Sequence, residues 1–118
     1  RQNRLSPDQI VSVLQDMYID LGVYPEFISV LGVMGRDGNV RKRMNGYNGA
    51  ERVRVKTGTL NSVSALSGYF QSADNERFAF SILMNDLKCS NRQARRLQDR
   101  IVGEGLSFKR ANLEVGLN

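Results

Sequence analysis

The sequence predicts an α+β fold, on three observations. A capped apolar helix opens the chain, three consecutive strand-like runs follow with short polar links, and a second capped helix closes the pattern. Strands joined by such short links pair with their neighbours, so the expected sheet is an antiparallel meander flanked by the two helices.

The first helix is expected over about residues 6–21. Ser6 is a good N-cap, Pro7 suits the first helical position, and Gln9 completes a capping box. Ile10, Val13, Leu14 and Met17 recur at helical spacing, with Ile19 and Leu21 near the end and Gly22 as terminator. Between Gly32 and Ala50, Gly35, Asp37-Gly38, Asn45-Gly46 and Asn48-Gly49 break the chain into turns. The basic cluster Arg36, Arg41, Lys42 and Arg43 inside that stretch reads as a solvated loop face.

Strands are expected over about 52–60, 63–71 and 77–85. Val53 and Val55 alternate with Arg52 and Arg54 in the first. The third, Arg77 to Asn85, is almost continuously apolar, as suits a strand covered on both faces. Asn61-Ser62 supplies the first turn and Ser72 to Glu76 the second. Ser90 caps a closing helix over about 90–103, with Ala94, Leu97, Ile101 and Val102 as its apolar stripe. Gly103 and Gly105 read as its stop signals.

With 118 residues there is room for one domain, since domains run to roughly 100–200 residues. Seventeen basic against twelve acidic residues give a net charge of +5, which permits contact with anionic partners without specifying them. Nucleic acid is disfavoured, because no aromatics interleave the basic cluster to stack bases. The absence of histidine removes Ser-His-Asp chemistry, histidine bases and most zinc sites. Cys89 stands alone, so no internal disulfide forms, and it reads as a buried or inert thiol. No apolar run approaches the roughly 18 residues of a membrane span.

The stretch richest in chemistry is Lys56-Thr57-Gly58-Thr59-Leu60. At a strand end, Lys56 supplies a point charge, Thr57 and Thr59 supply hydroxyls, and Gly58 lets a ligand backbone approach. An extended peptide can pair with such an edge by strand addition. A phosphate loop is excluded, because Val55 stands where glycine must precede the lysine and strand-like sequence follows Gly58.

Lys56 to Phe70 followed by Arg77 to Asn85 resembles the C-terminal part of the class C low-molecular-mass penicillin-binding proteins, the D-alanyl-D-alanine carboxypeptidase/endopeptidase family. The resemblance extends upstream through Asn3-Arg4-Leu5-Ser6-Pro7 and through Leu31 to Gly38 with Arg43 beyond. It covers residues 1–104, leaving 105–118 as a C-terminal extension. It implies part of a β-lactamase/transpeptidase-like fold and a serine acyl-transfer enzyme acting on peptidoglycan stem peptides in the periplasm or at the cell wall, with β-lactams as further ligands. Carried over by position, Lys56 would favour the anionic substrate and support proton transfer. Thr57 and Thr59 would hold the substrate carboxylate beside Gly58, and the Thr59 N–H would be an oxyanion-hole donor. Lysine would then do what imidazole does in other serine hydrolases, and the resemblance implies no metal or organic cofactor.

The family's Ser-x-x-Lys and Ser-x-Asn motifs do not occur in this chain; Ser107-Phe108-Lys109-Arg110 misses its lysine by one place. Both are expected upstream of Arg1. The isolated chain is therefore expected to be inactive and open to self-association through an exposed sheet edge. The alternatives are a non-catalytic peptidoglycan- or anion-binding module and, behind it, a basic nucleic-acid-binding domain.

Overall fold

The computed structural model describes residues 6–60, 63–85 and 88–110. Helix α1 (Pro7–Ile19) starts as expected: the Gln9 N–H donates to Ser6 Oγ at 3.2 Å, and the Ser6 N–H donates to Gln9 Oε1 at 2.8 Å. It stops two residues short of Leu21. Asp20 turns to extended backbone, its carboxylate accepts the Gly22 N–H at 2.9 Å, and its carbonyl accepts the N–H groups of Val23 and Tyr24. Ile19 and Leu21 are exposed as a result.

A short helix, α2 (Tyr24–Val30), follows, and its apolar residues Tyr24, Phe27 and Ile28 pack inward. After it come β1 (Gly32–Val33), β2 (Val53–Leu60), β3 (Val63–Gln71), β4 (Arg77–Met84) and α3 (Asn91–Leu106). All strand pairs are antiparallel, in the spatial order β1-β2-β3-β4. The expected three-strand meander is thus present, with one two-residue strand added at its edge. The expected Asn61-Ser62 turn lies outside the described residues. β4 is the opposite edge, and its seven residues after Arg77 are half-buried rather than fully covered.

Strand alternation gives the sheet two apolar faces. On one, Val53, Val55 and Leu66 pack with Val102 and Leu106 of α3 and with Met34, Val40 and Met44 of the long loop. On the other, Tyr69 packs beneath Leu14 of α1 and against Leu31, with Tyr24, Phe27 and Ile28 of α2 around it. Each fully buried aliphatic side chain contributes about 1.5–3 kcal/mol, so both helical layers are needed to stabilise so small a sheet. Cys89, expected to be buried or inert, is exposed.

Two further expectations are corrected. α3 does not end near Gly103 but runs to Leu106. A Cβ on Gly103 would meet the Tyr47 ring at 2.5 Å, and one on Gly105 would meet the Phe70 ring at 2.5 Å. These glycines admit aromatic rings against the helix; they do not terminate it. Arg43 is not part of a solvated face either: it is buried, and its guanidinium pairs with Asp99 of α3 at 2.6 Å.

Tyr69 ties the two layers together, because its hydroxyl donates to the Leu14 carbonyl at 2.6 Å. Burial, reinforced by the neighbouring Tyr24 phenol, pushes its pKa up to about 12. A proton held more tightly in the folded chain stabilises fully below the ordinary tyrosine pKa near 10 and is lost as pH rises towards 12. Phenolate absorbance should therefore show a late titration phase near pH 12 that Tyr69→Phe removes, with a loss of about 1 kcal/mol at neutral pH from the missing hydrogen bond to Leu14. A native titration without the late phase would contradict this assignment.

Candidate active-site strand

All four residues singled out by the sequence lie on β2, from its fourth residue to its seventh. β1 covers only the first half: Gly32 pairs with Val55 and Val33 with Arg54, and the next bond on that side runs from the Met34 N–H to the Val53 carbonyl. In an antiparallel strand the N–H and C=O of one residue point to the same side, and alternate residues point to opposite sides. Val53 addresses β1, so the backbone groups of Val55, Thr57 and Thr59 face that side too. Beyond Val55 no described strand meets them. The even-numbered residues face β3 instead, in a ladder that runs from Val53↔Phe70 to Leu60↔Val63.

The side chains divide by the same alternation. Lys56 is exposed on the α1 face, and its Nζ donates to the Thr57 carbonyl at 3.0 Å. Thr57 is half-buried, and its Oγ1 accepts a hydrogen bond from Asn39 Nδ2 at 2.8 Å. Among the described residues an added Cβ on Gly58 would meet only the Ala65 Cβ, at 3.7 Å, an ordinary contact that does not demand glycine there. Glycine at that position leaves room for a closely approaching ligand.

Three cavities meet along this strand. An apolar groove of about 550 Å³ lies on the α1 side, where Ile10, Val13, Met17 and Val30 approach Lys56 and Gly58. Val13 and Val30 are exposed in it, at 55% and 73%. A polar cavity of about 410 Å³ lies towards α3, bounded by Thr57, Asn39, Lys42, Arg95 and Gln98. A third, of about 380 Å³, runs along the open edge between Lys56, Thr57 and Ser29. The strand thus presents a cation, oriented hydroxyl and amide donors and an accessible backbone edge to one region, an arrangement suited to an extended peptide ending in a carboxylate.

Two contributors escaped the sequence reading. Asn39 orients Thr57 from 18 residues upstream, and no local spacing signals that contact. Ser64, the cross-strand neighbour of Thr59, is buried and accepts from Gln98 Nε2 of α3 at 3.0 Å. A serine within a strand and a glutamine within a basic helix carry no sign of such pairing.

The chain is 28% identical over 109 residues to the penicillin-sensitive carboxypeptidase A of Dictyostelium discoideum, an alignment covering 86% of this chain and 21% of that protein. The crystal structure of penicillin binding protein 4 from Haemophilus influenzae matches the fold with a TM-score of 0.76 at 24% identity, over 92% of this chain and 26% of that one. The same protein in complex with a β-lactam matches equally, over 27% of its length. This chain therefore spans about a fifth to a quarter of the length of these relatives. The sequence profile of the D-Ala-D-Ala carboxypeptidase 3 (S13) family matches residues 1–104, and the chain belongs to that family.

Proposed function

We propose that this chain is the substrate-strand portion of a serine D-Ala-D-Ala carboxypeptidase that cleaves peptidoglycan stem peptides through an acyl-enzyme. The observation that carries this reading is the half-edge of β2 beyond Val55, which no described strand covers. A stem peptide adds to that edge as an extended strand. Thr57 and Thr59 receive its terminal carboxylate, and Lys56 supplies positive potential there and supports proton transfer to and from the nucleophile. The Thr59 N–H, turned to the open side by strand alternation, is one oxyanion donor, a role worth about 3–4 kcal/mol in comparable hydrolases. β-Lactams occupy the same place through their own carboxylate, as the β-lactam complex of penicillin binding protein 4 suggests by likeness of fold. The parent protein works where peptidoglycan lies, in the periplasm or at the cell wall.

The nucleophile and its lysine belong to the rest of the parent polypeptide, and the exposed apolar groove with Val13 and Val30 is the surface on which that part packs. The isolated chain is inactive, and its open edge gives it a route to pairing with a second copy. The test is acylation by a fluorescent penicillin. The full-length parent should be labelled, its Lys56→Ala variant should react at least about a hundredfold more slowly, and the isolated chain should remain unlabelled. An unlabelled parent, or a fully reactive Lys56→Ala variant, would sink the assignment.

A further inference from the structure

A separate cavity of about 400 Å³ lies where the start of β2, the end of β3 and the start of β4 meet α1 and α2. It shares no lining residue with the cavities around Lys56. Three arginines line it. Arg54 is half-buried and gives Nη1 to the Ile28 carbonyl at 3.2 Å. Arg52 is half-buried and gives Nε to the Gln71 carbonyl and Nη2 to the Leu106 carbonyl. Arg77 gives Nη1 to the Tyr18 hydroxyl at 3.0 Å. Among the described residues none of the three forms an ion pair, and Glu51 is the one acid that lines the cavity. Neutral carbonyls and a phenol fix the guanidinium positions without cancelling their charge. Each keeps further N–H donors for a ligand.

Three cations against one acid around a concave, partly desolvated site raise its potential above that of a flat surface. Guanidinium forks match the geometry of phosphate and carboxylate. Tyr18 and Tyr24, held edge to face at 4.9 Å, line the same cavity and offer a wall for a ring. Its volume falls within the range of small-molecule sites, about 300–1,000 Å³.

We propose that this cavity binds an oxyanion carried on a ring, the anion held by Arg54, Arg77 and Arg52 and the ring lying against Tyr18 and Tyr24. The site is independent of the acyl-transfer strand. The ring is either a sugar or an aromatic, and the probes that separate the two are glucose 1-phosphate and phenyl phosphate, with inorganic phosphate reporting the anion alone.

The 118-residue chain is titrated with each probe at low salt, read by calorimetry and by the NMR shifts of the tyrosine rings. At least one ring phosphate should saturate and bind more tightly than inorganic phosphate, with Tyr18 and Tyr24 shifting; whichever probe is tighter identifies the ring. Arg77→Gln and Arg54→Gln should each weaken binding by about tenfold or more, as expected for a lost charge-assisted bond. Lys56→Ala should leave it unchanged, which separates this site from the acyl-transfer strand. Arg77 is exposed, so its variant decides the matter even where Arg54→Gln fails to fold. No saturable binding, equal binding of inorganic phosphate, or an unaltered Arg77→Gln titration would overturn the proposal.

Discussion

Gly68→Ala is expected to abolish folding of the chain. Gly68 sits in the middle of β3, opposite Val55 on β2 and Phe80 on β4. A Cβ added there would fall on the Arg54 carbonyl oxygen and lie 2.9 Å from the Val55 Cα. The three nearest atoms it would meet are all backbone, so no side-chain rotation relieves the clash. β2 and β3 would have to separate in the middle of their ladder. Such a change exceeds about 4 kcal/mol, against the roughly 5–15 kcal/mol of total stability in a small domain. Circular dichroism and thermal melting should show loss of the cooperative transition; a variant melting within a few degrees of the parent would contradict the geometry. Gly58→Ala, two residues beyond Lys56 on β2, is the informative control. Its Cβ makes only an ordinary contact, so stability should change by less than about 1 kcal/mol, while acylation of the full-length parent should suffer. The sheet requires the first glycine, whereas the second meets only an ordinary contact among the described residues.

The contrast shows what the sequence made legible. β2, β3 and β4 announced themselves through alternating or continuous apolar runs and short polar links, signals contained within each run. The two N-caps were equally local: Ser6 and Ser90 each accept the N–H three residues on, within one turn. Lys56 to Thr59 were legible because their chemistry is concentrated in consecutive residues. What was hidden is long-range. The glycines of α3 read as terminators because the rings of Tyr47 and Phe70 that occupy their place arrive from distant segments. α2 has no side-chain cap, and β1 is too short to show a period. Asn39 matters only because the loop carries it to Thr57. The surroundings of the motif follow the same logic: Lys56 to Thr59 stand out in the sequence, whereas the apolar groove beside them reveals itself only once α1 and α2 are in place.

Arg43 is the strongest case of long-range meaning in an apparently ordinary residue, and Arg43→Ala should be the most destabilising change outside the strands. Its Nε and Nη2 donate to Asp99 Oδ1 at 3.1 and 2.6 Å, and Nη2 also reaches Gln98 Oε1 and the Arg95 carbonyl, each at 3.1 Å. Gln98, fully buried, passes the connection on to Ser64, across the ladder from Thr59. One guanidinium thus fastens the long loop to α3, and through Gln98 the β2–β3 hairpin on which Thr59 lies. Truncating it leaves a nearly buried carboxylate and a buried amide oxygen without their donor, a defect that costs about 3–5 kcal/mol. Removing both charges tests whether the cost lies in the orphaned partner. Arg43→Met combined with Asp99→Leu should be less destabilised than the sum of the single changes, because no charge is then left buried alone. Urea denaturation of the four proteins in the cycle measures the coupling. Additive effects, or an Arg43→Ala variant within about 1 kcal/mol of the parent, would mean that apolar packing alone joins the loop to α3. A large coupling would mean that the geometry of the β2–β3 hairpin depends on an ion pair formed more than 40 residues apart in the chain.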